Sequence, residues 1–272
     1  MNGLKKMLLR FPVLYKLAIL FRFLVDEASF ASWVWIAPKK FMDKSHLRRT
    51  WDFESSCSQE FHNRVLAVIA GRIGGEQWGD ALEIGCSEGV FTSYLATRCR
   101  AVDAYDISPV ARMRATERCA KYPNVRIELL DLAKDEIPGQ YDLVFAMDIL
   151  SCVRGRKRLT AAAKKLVSAL RDGGILVYTD NSMPLDILRS WGSHRWWGPC
   201  LAMMEPDDCV QFLKTRFCLQ LVYREQYLPD QQGGRDQMIA LFQKGPVPGG
   251  KTDVESVEEP VASVALPVKY TQ

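Results

Sequence analysis

Apolar residues along the chain fall into short continuous runs that alternate with stretches of helical spacing, and this alternation sets the first expectations. Ala81–Ile84 is a short apolar run holding Glu83, and Val90, Phe91, Tyr94 and Leu95 then recur at the spacing of a helix over Val90–Thr97. Ala101–Tyr105 predicts a second strand. It leads into Asp106-Ile107-Ser108-Pro109, where Ser108 suits an N-cap and Pro109 the first helical position, so a helix should run to about Lys121. Val125–Leu130, ending in Asp131, predicts the third strand, and Tyr141–Ala146 reads as a buried parallel strand. Leu159–Leu170 predicts a helix closed by Gly173-Gly174, followed by a fifth strand at Ile175–Thr179. Glu205–Lys214 reads as a helix, and Leu219–Tyr227 and Met238–Gln243 as two strands completing the sheet. Upstream, Phe61, Val65, Leu66, Val68 and Ile69 predict a helix over Glu60–Ile73, ended by Gly71, Gly74 and Gly75. The pattern implies an α/β fold: a doubly wound sheet, mostly parallel with a terminal antiparallel strand, plus an amino-terminal helical extension. Three regions follow: a helical leader or lid over 1–76, a ligand-binding domain over 77–244, and a flexible tail over 245–272 whose Pro, Gly, Val and Glu show no period.

Composition narrows the class without naming a function. The 272 residues are 48% hydrophobic and 25% charged with a formal net charge of +4, which is ordinary for a globular protein and does not argue for nucleic acid. Eight cysteines are scattered with no C-x-x-C pair, and with three histidines no metal-ligand spacing arises, so reduced and mostly buried thiols in a cytoplasmic protein are expected. Met7–Val25 is apolar but broken by Arg10, Pro12, Lys16 and Arg22, too interrupted to span a bilayer. Two readings of the leader stay open: a basic helix lying on a membrane surface, or a helix packed on the domain or on a partner subunit. The basic stretch Lys39–Arg49 reads as a solvated surface. Arg154-Gly155-Arg156-Lys157-Arg158 has no interleaved aromatics, and reads as a solvated loop or an anionic-substrate contact rather than a nucleic-acid groove.

Chemistry concentrates at the first strand-to-helix turn, Ala-Leu-Glu-Ile-Gly-Cys-Ser-Glu-Gly over Ala81–Gly89. A dinucleotide fingerprint needs glycine at the first, third and sixth positions of such a turn. Here Gly85 is first, Ser87 third, Gly89 fifth and Val90 sixth, which argues against an NAD(P)-dependent oxidoreductase. A tight turn with no ligand remains the alternative to a binding turn. Asp106 lies 23 residues after Glu83 and Asp131 lies 25 after Asp106, each interval one strand-helix-strand step. Gly85–Gly89, Asp106, Asp131 and Met147-Asp148 all end predicted strands, the rim where open parallel sheets bind ligands. A carboxylate at Asp106 can hold both ribose hydroxyls, and one at Asp131 can accept from an adenine amino group. Three acids at one-step intervals point to a shared adenosine site.

With Glu83-x-Gly85-x-Ser87-x-Gly89 and Asp106-Ile107-Ser108-Pro109 in place, the chain resembles the class I S-adenosylmethionine-dependent methyltransferases over roughly Ala81–Lys244, and within them is most similar to the nodulation protein S (NodS) group. The resemblance implies a Rossmann-like fold and S-adenosyl-L-methionine as cofactor. It implies that Glu83, Gly85, Ser87 and Gly89 line the methionine end, that Asp106 holds the ribose, and that Asp131 with Leu132 holds adenine; Ile107 and Met147 complete the cofactor set. Ser87 departs from the common pattern, where glycine is frequent. The group N-methylates an amino sugar, so a small polar acceptor methylated on N or O, such as a sugar or saccharide, is implied. A base need only remove a proton from that acceptor, and Asp148 and His194 are the candidates. Trp191, Trp196 and Trp197 can stack on a ring or merely cap the site. Pro199-Cys200 follows the fifth strand rather than the fourth, unlike the nucleophile pair of cytosine C5-methyltransferases, and no Asp/Asn-Pro-Pro-aromatic signature follows Ala146. A catalytically silent scaffold or partner-binding protein on the same fold is the alternative function.

Overall fold

The computed structural model describes residues 38–47, 54–75, 77–153, 156–181, 206–227 and 237–245. Strands β1 (Trp78–Ile84), β2 (Cys99–Asp106), β3 (Val125–Leu129), β4 (Tyr141–Met147), β5 (Leu170–Asn181), β6 (Gln220–Tyr227) and β7 (Gln237–Gln243) form one sheet in the order β3-β2-β1-β4-β5-β7-β6. β1 to β5 pair in parallel, and β7 runs antiparallel to both β5 and β6. The expected doubly wound α/β fold, with its antiparallel last strand, is therefore present.

Helices α1 (Pro38–Leu47), α2 (Ser56–Ile73), α3 (Val90–Ala96), α4 (Pro109–Cys119), α5 (Arg156–Ser168) and α6 (Pro206–Phe217) surround the sheet. Side chains alternate across each strand, so the central strands feed two cores. Val144 and Ala146 of β4 pack with Leu159, Ala163 and Leu166 of α5 and Val210 and Leu213 of α6. Leu143 and Phe145 pack on the other face with Val65, Leu66 and Ile69 of α2 and Phe91 and Leu95 of α3. All four β4 residues are at most 2% exposed, which is why that strand reads as an unbroken apolar run. Ser108 caps α4 as expected, its Oγ accepting from Ala111 N at 3.2 Å. Among the described residues no helix is long and apolar enough to cross a membrane. The leader over Met1–Val25, the Trp191–Trp197 segment and the tail beyond Gly245 lie outside them, as do Cys57's side chain and Cys200. Cys86, Cys99, Cys119 and Cys209 are buried free thiols, as the composition suggested, whereas Cys218 is exposed.

Two expectations need correction. The helix drawn through Leu170 ends at Ser168, and Leu170 already pairs with Tyr141 in β5. The register then shifts so that Ile175 pairs with Leu143, which makes residues 171–174 a bulge. Gly173 takes φ 77°, and a Cβ on Gly174 would press on the carbonyl oxygens of Arg171, Asp142 and Tyr141 at 2.9–3.2 Å. The glycine pair thus bends a strand rather than ending a helix. Second, the Lys39–Arg49 stretch is not simply solvated surface: α1 packs on α4 and buries His46 to 2% exposure. Asp103, a carboxylate inside β2, is held from β3 and β4. Arg126 donates to its two oxygens at 2.9 Å each and the Tyr141 hydroxyl donates at 2.7 Å.

Candidate active site

The turn after β1 is bound to the end of β2. Gly85 N and Cys86 N both donate to Tyr105 O, at 2.7 and 3.0 Å. Gly85 takes φ 80°, and a Cβ there would collide with the Ile149 side chain. Gly89, the N-cap of α3 at φ 76°, faces the α4 backbone, where a Cβ would stand 3.0 Å from Ala115 Cα. Both therefore need glycine, for conformation and for space. Between them Ser87 holds φ 50°, a left-handed conformation unusual outside glycine. Its N–H donates to Asp106 Oδ2 at 2.9 Å, and its buried Oγ has no hydrogen-bond partner. The turn is thus built around the Asp106 carboxylate, whose Oδ1 accepts from Ser108 N at 2.8 Å.

Two buried acids meet behind this turn. Glu83 accepts from Thr92 Oγ1 at 2.6 Å, and burial, aided by the nearby Asp106 charge, pushes its carboxyl up to about 7. The Thr92 hydrogen bond pulls the other way. Asp106 is 4% exposed; burial raises its pKa, opposed by the amides of Ser108, Ser87 and Ile107 and by His46. Sequence reasoning placed this stretch in a helical leader but missed His46 and the docking of its helix at the site. Ser108 Oγ donates to Asp43 on α1, Arg114 donates to His46 O at 2.7 Å and to Glu88, and His46 Nδ1 stands 3.7 Å from Glu88 Oε1. The signal was present as Asp43 and His46 three positions apart on one helical face, but the surrounding lysines and arginines masked it.

The remaining predicted residues fall as follows. Leu130 N donates to Asp106 O at 3.0 Å, which brings the Asp131 corner alongside Asp106. The Asp131 carboxylate accepts from Ala133 N at 3.1 Å and pairs with Lys134 at 2.8 Å, so much of its capacity goes to its own turn. Leu132 is 8% exposed and joins the α5-side core. Ile107 and Met147 are half-buried, Met147 packing against the α2-side core. Asp148 follows β4 at φ 53°, with its N–H donating to Thr179 O at 2.9 Å, and Ile149 beside it abuts Gly85. The structure thus gathers Glu83, Gly85, Ser87, Gly89, Asp106 and the Asp131 and Asp148 corners at one rim; His194 lies outside the described residues.

Sheet order, glycine turn and strand-end acid together define a class I S-adenosylmethionine-dependent methyltransferase. Residues 39–214 match the family of nodulation protein S (NodS), and the chain belongs to that family. It is 28% identical over 145 residues to nodulation protein S of Azorhizobium caulinodans, covering 53% of this chain and 68% of that protein. To the Bradyrhizobium diazoefficiens protein of the same name it is 27% identical over 142 residues, covering 52% and 66%. In fold it is similar to the N-methyltransferase NodS from Bradyrhizobium japonicum WM9 in complex with S-adenosyl-L-homocysteine, with a TM-score of 0.61 at 22% identity over 75% of this chain and 99% of that one. The donor set fits the cofactor. The Asp106 carboxylate accepts from the Ser87 and Ser108 amides, with the Ile107 amide also favouring its charged form, and its remaining lone pairs suit two adjacent ribose hydroxyls, while the unpartnered Ser87 Oγ lies on the same turn.

Proposed function

We propose that this methyltransferase methylates a nitrogen or oxygen of a small polar acceptor, a saccharide amine or hydroxyl. The observation that carries the reading is the Asp106 carboxylate, fixed by the amides of Ser87 and Ser108 with acceptor capacity left over at the rim of β2. When bound, S-adenosylmethionine supplies a methyl group already activated as a sulfonium, so most of the protein's contribution is positioning. Asp106 holds the ribose, Asp131 and Leu132 the adenine side, and Glu83, Gly85, Ser87 and Gly89 the methionine side, with Ile107 and Met147 completing the wall. Asp148 follows the neighbouring strand β4 and is assigned to take the acceptor's proton, with His194 as the other candidate base.

The acceptor side is assigned to the chain between β5 and α6, where Trp191, Trp196 and Trp197 accompany His194 and Arg195. Flat apolar faces with polar edges suit a sugar ring. The description of the Bradyrhizobium japonicum relative as an N-methyltransferase supports nitrogen over oxygen. We read the leader as packing on the protein in a cytoplasmic enzyme; flotation on anionic liposomes with and without residues 1–25 tests this against membrane attachment.

Methyl-labelled donor, incubated with amino sugars and with their N-acetylated forms, tests the reaction. Label is expected in the free amines and lost on acetylation. Tight binding of S-adenosylhomocysteine with no labelled product from any saccharide or other small polar acceptor would leave the silent scaffold instead.

A further inference from the structure

Most arginines among the described residues are engaged. Among the described residues, Arg64, Arg72, Arg98, Arg100, Arg114, Arg118, Arg126, Arg171 and Arg224 each donate to a described partner. Arg158 also has an interaction. Arg112, Arg156 and Arg216 make no side-chain hydrogen bond or ion pair with any described residue. Arg112 is alone on the surface of α4, but Arg156 and Arg216 come from different helices and line the same cavity.

That cavity, of about 310 Å³, lies between α5 and α6 and is walled by Arg156, Thr160, Phe212, Thr215 and Arg216. Among the described residues no acid lines it, and α5 carries Arg156, Lys157, Arg158, Lys164 and Lys165 without a single acidic residue. The acids of α6, Asp207 and Asp208, lie in its first turn, away from Thr215 and Arg216, and Asp207 is paired with Arg224. The two threonine hydroxyls donate to their own helices, to Arg156 O and Gln211 O at 2.8 Å each, so they shape the wall without supplying donors. Recognition therefore rests on two guanidiniums and a phenyl ring. None of these residues belongs to the cofactor rim.

We propose that this cleft is a second binding site, for a phosphomonoester. Two guanidinium forks with no counter-charge among the described residues suit a dianion better than a single carboxylate, because each fork can give paired hydrogen bonds to phosphate oxygens. The cavity exceeds what a bare phosphate fills, and half-buried Phe212 offers the carrier group an apolar wall. The same chemistry is found in a soluble sugar phosphate and in a monoester lipid headgroup. The assignment does not depend on which acceptor the enzyme methylates.

Titration of the full chain with inorganic phosphate and glycerol 3-phosphate tests it, with glycerol as control. In parallel, co-sedimentation is measured on phosphatidylcholine vesicles with and without phosphatidic acid. Both phosphate probes are expected to bind and glycerol not to bind. Arg156→Gln and Arg216→Gln should each weaken binding about tenfold, and Arg112→Gln should not. Vesicle binding that needs phosphatidic acid and both arginines identifies the lipid source; soluble binding without it identifies a free ester. S-adenosylhomocysteine affinity and melting temperature should be unchanged in all three variants, which separates loss of this site from misfolding or loss of the cofactor site. Dissociation constants above about 1 mM for both phosphate probes, with no dependence on phosphatidic acid, overturn the proposal. An equal loss in Arg112→Gln does so as well, since it would reveal only diffuse charge.

Discussion

The two ends of the central sheet treat their acids in opposite ways. Near the amino end of β1, Asp80 receives Arg100 at 2.8 and 2.7 Å and Arg171 at 3.0 Å, and Arg171 also donates to Asp142 at 2.7 Å. The Arg100 hydrogen bonds, against a smaller burial effect, bring the Asp80 carboxyl down to about 2. Three residues along the same strand, Glu83 faces Asp106 with only a hydroxyl as its described side-chain donor, and is pushed up to about 7. One end neutralises its charges within the fold. The other retains buried acceptors with spare capacity, an arrangement that stabilises nothing by itself and suits a ligand rich in hydroxyls and positive charge.

The largest expected effect breaks this contrast at Glu83. A carboxyl whose folded pKa is raised favours the folded state below its unfolded value near 4.5, and that contribution is lost as pH rises toward about 7. The Glu83 contribution should therefore fall over that window, opposed by buried His62, whose imidazole is held down to about 4 and favours the fold increasingly as pH rises, and Glu83→Gln should remove the falling part. At pH 8 the variant should be the more stable, by on the order of 3 kcal/mol. Denaturant melts at pH 5 and pH 8 read this directly; parallel pH profiles would show that Glu83 is not the source.

Asp106→Ala comes next. It removes the acceptor of Ser87 N and Ser108 N along with the ribose contact, so S-adenosylhomocysteine should bind about 10- to 100-fold more weakly by calorimetry. Unchanged affinity would take Asp106 out of the site. At the opposite end, Asp80→Asn sharpens the comparison by reversing the pH sense. A depressed carboxyl contributes stability above its unfolded value of 3.8 and loses it as pH falls toward about 2. The loss should thus appear at neutral pH, stay below about 1 kcal/mol because solvent screens the pair, and fade in acid. A deficit that persists at pH 2 would point to packing instead of charge. The smallest effect belongs to α1. Asp43→Ala removes its link to Ser108 and should speed S-adenosylhomocysteine dissociation roughly threefold in stopped flow, and an unchanged rate would show that α1 does not close that side of the site.

What the sequence made legible follows the range of the forces involved. β1, β4 and the Ser108–Pro109 start of α4 are set by local burial and capping, and they stand within a few residues of expectation. Asp103 made no sense locally because its partners, Arg126 and Tyr141, are 23 and 38 residues away. The Gly173–Gly174 pair was misread for a similar reason. Two glycines after a helical stretch look like a stop, and only the β4 partner, with its register shift, shows them inside a strand. For α1 a helical leader was expected but its docking was not, since that is dictated by Ser108, 65 positions from Asp43, and Arg114, 68 from His46, whereas Asp106 and the glycine turn were marked by residues that answer to nearby backbone.

The placement of β7 between β5 and β6 has a consequence for how the protein is made. During synthesis β5 and β6 emerge first, and neither can pair with the other, because the strand that joins them is still to come. Until residue 243 has left the ribosome, β5 presents an open hydrogen-bonding edge flanked by Leu176, Val177 and Tyr178, residues that end fully buried. Such an edge is an invitation to foreign strands. A ribosome paused before Gln237 should therefore hold a nascent chain that needs chaperone cover, and one paused well after Gln243 should hold a chain that does not.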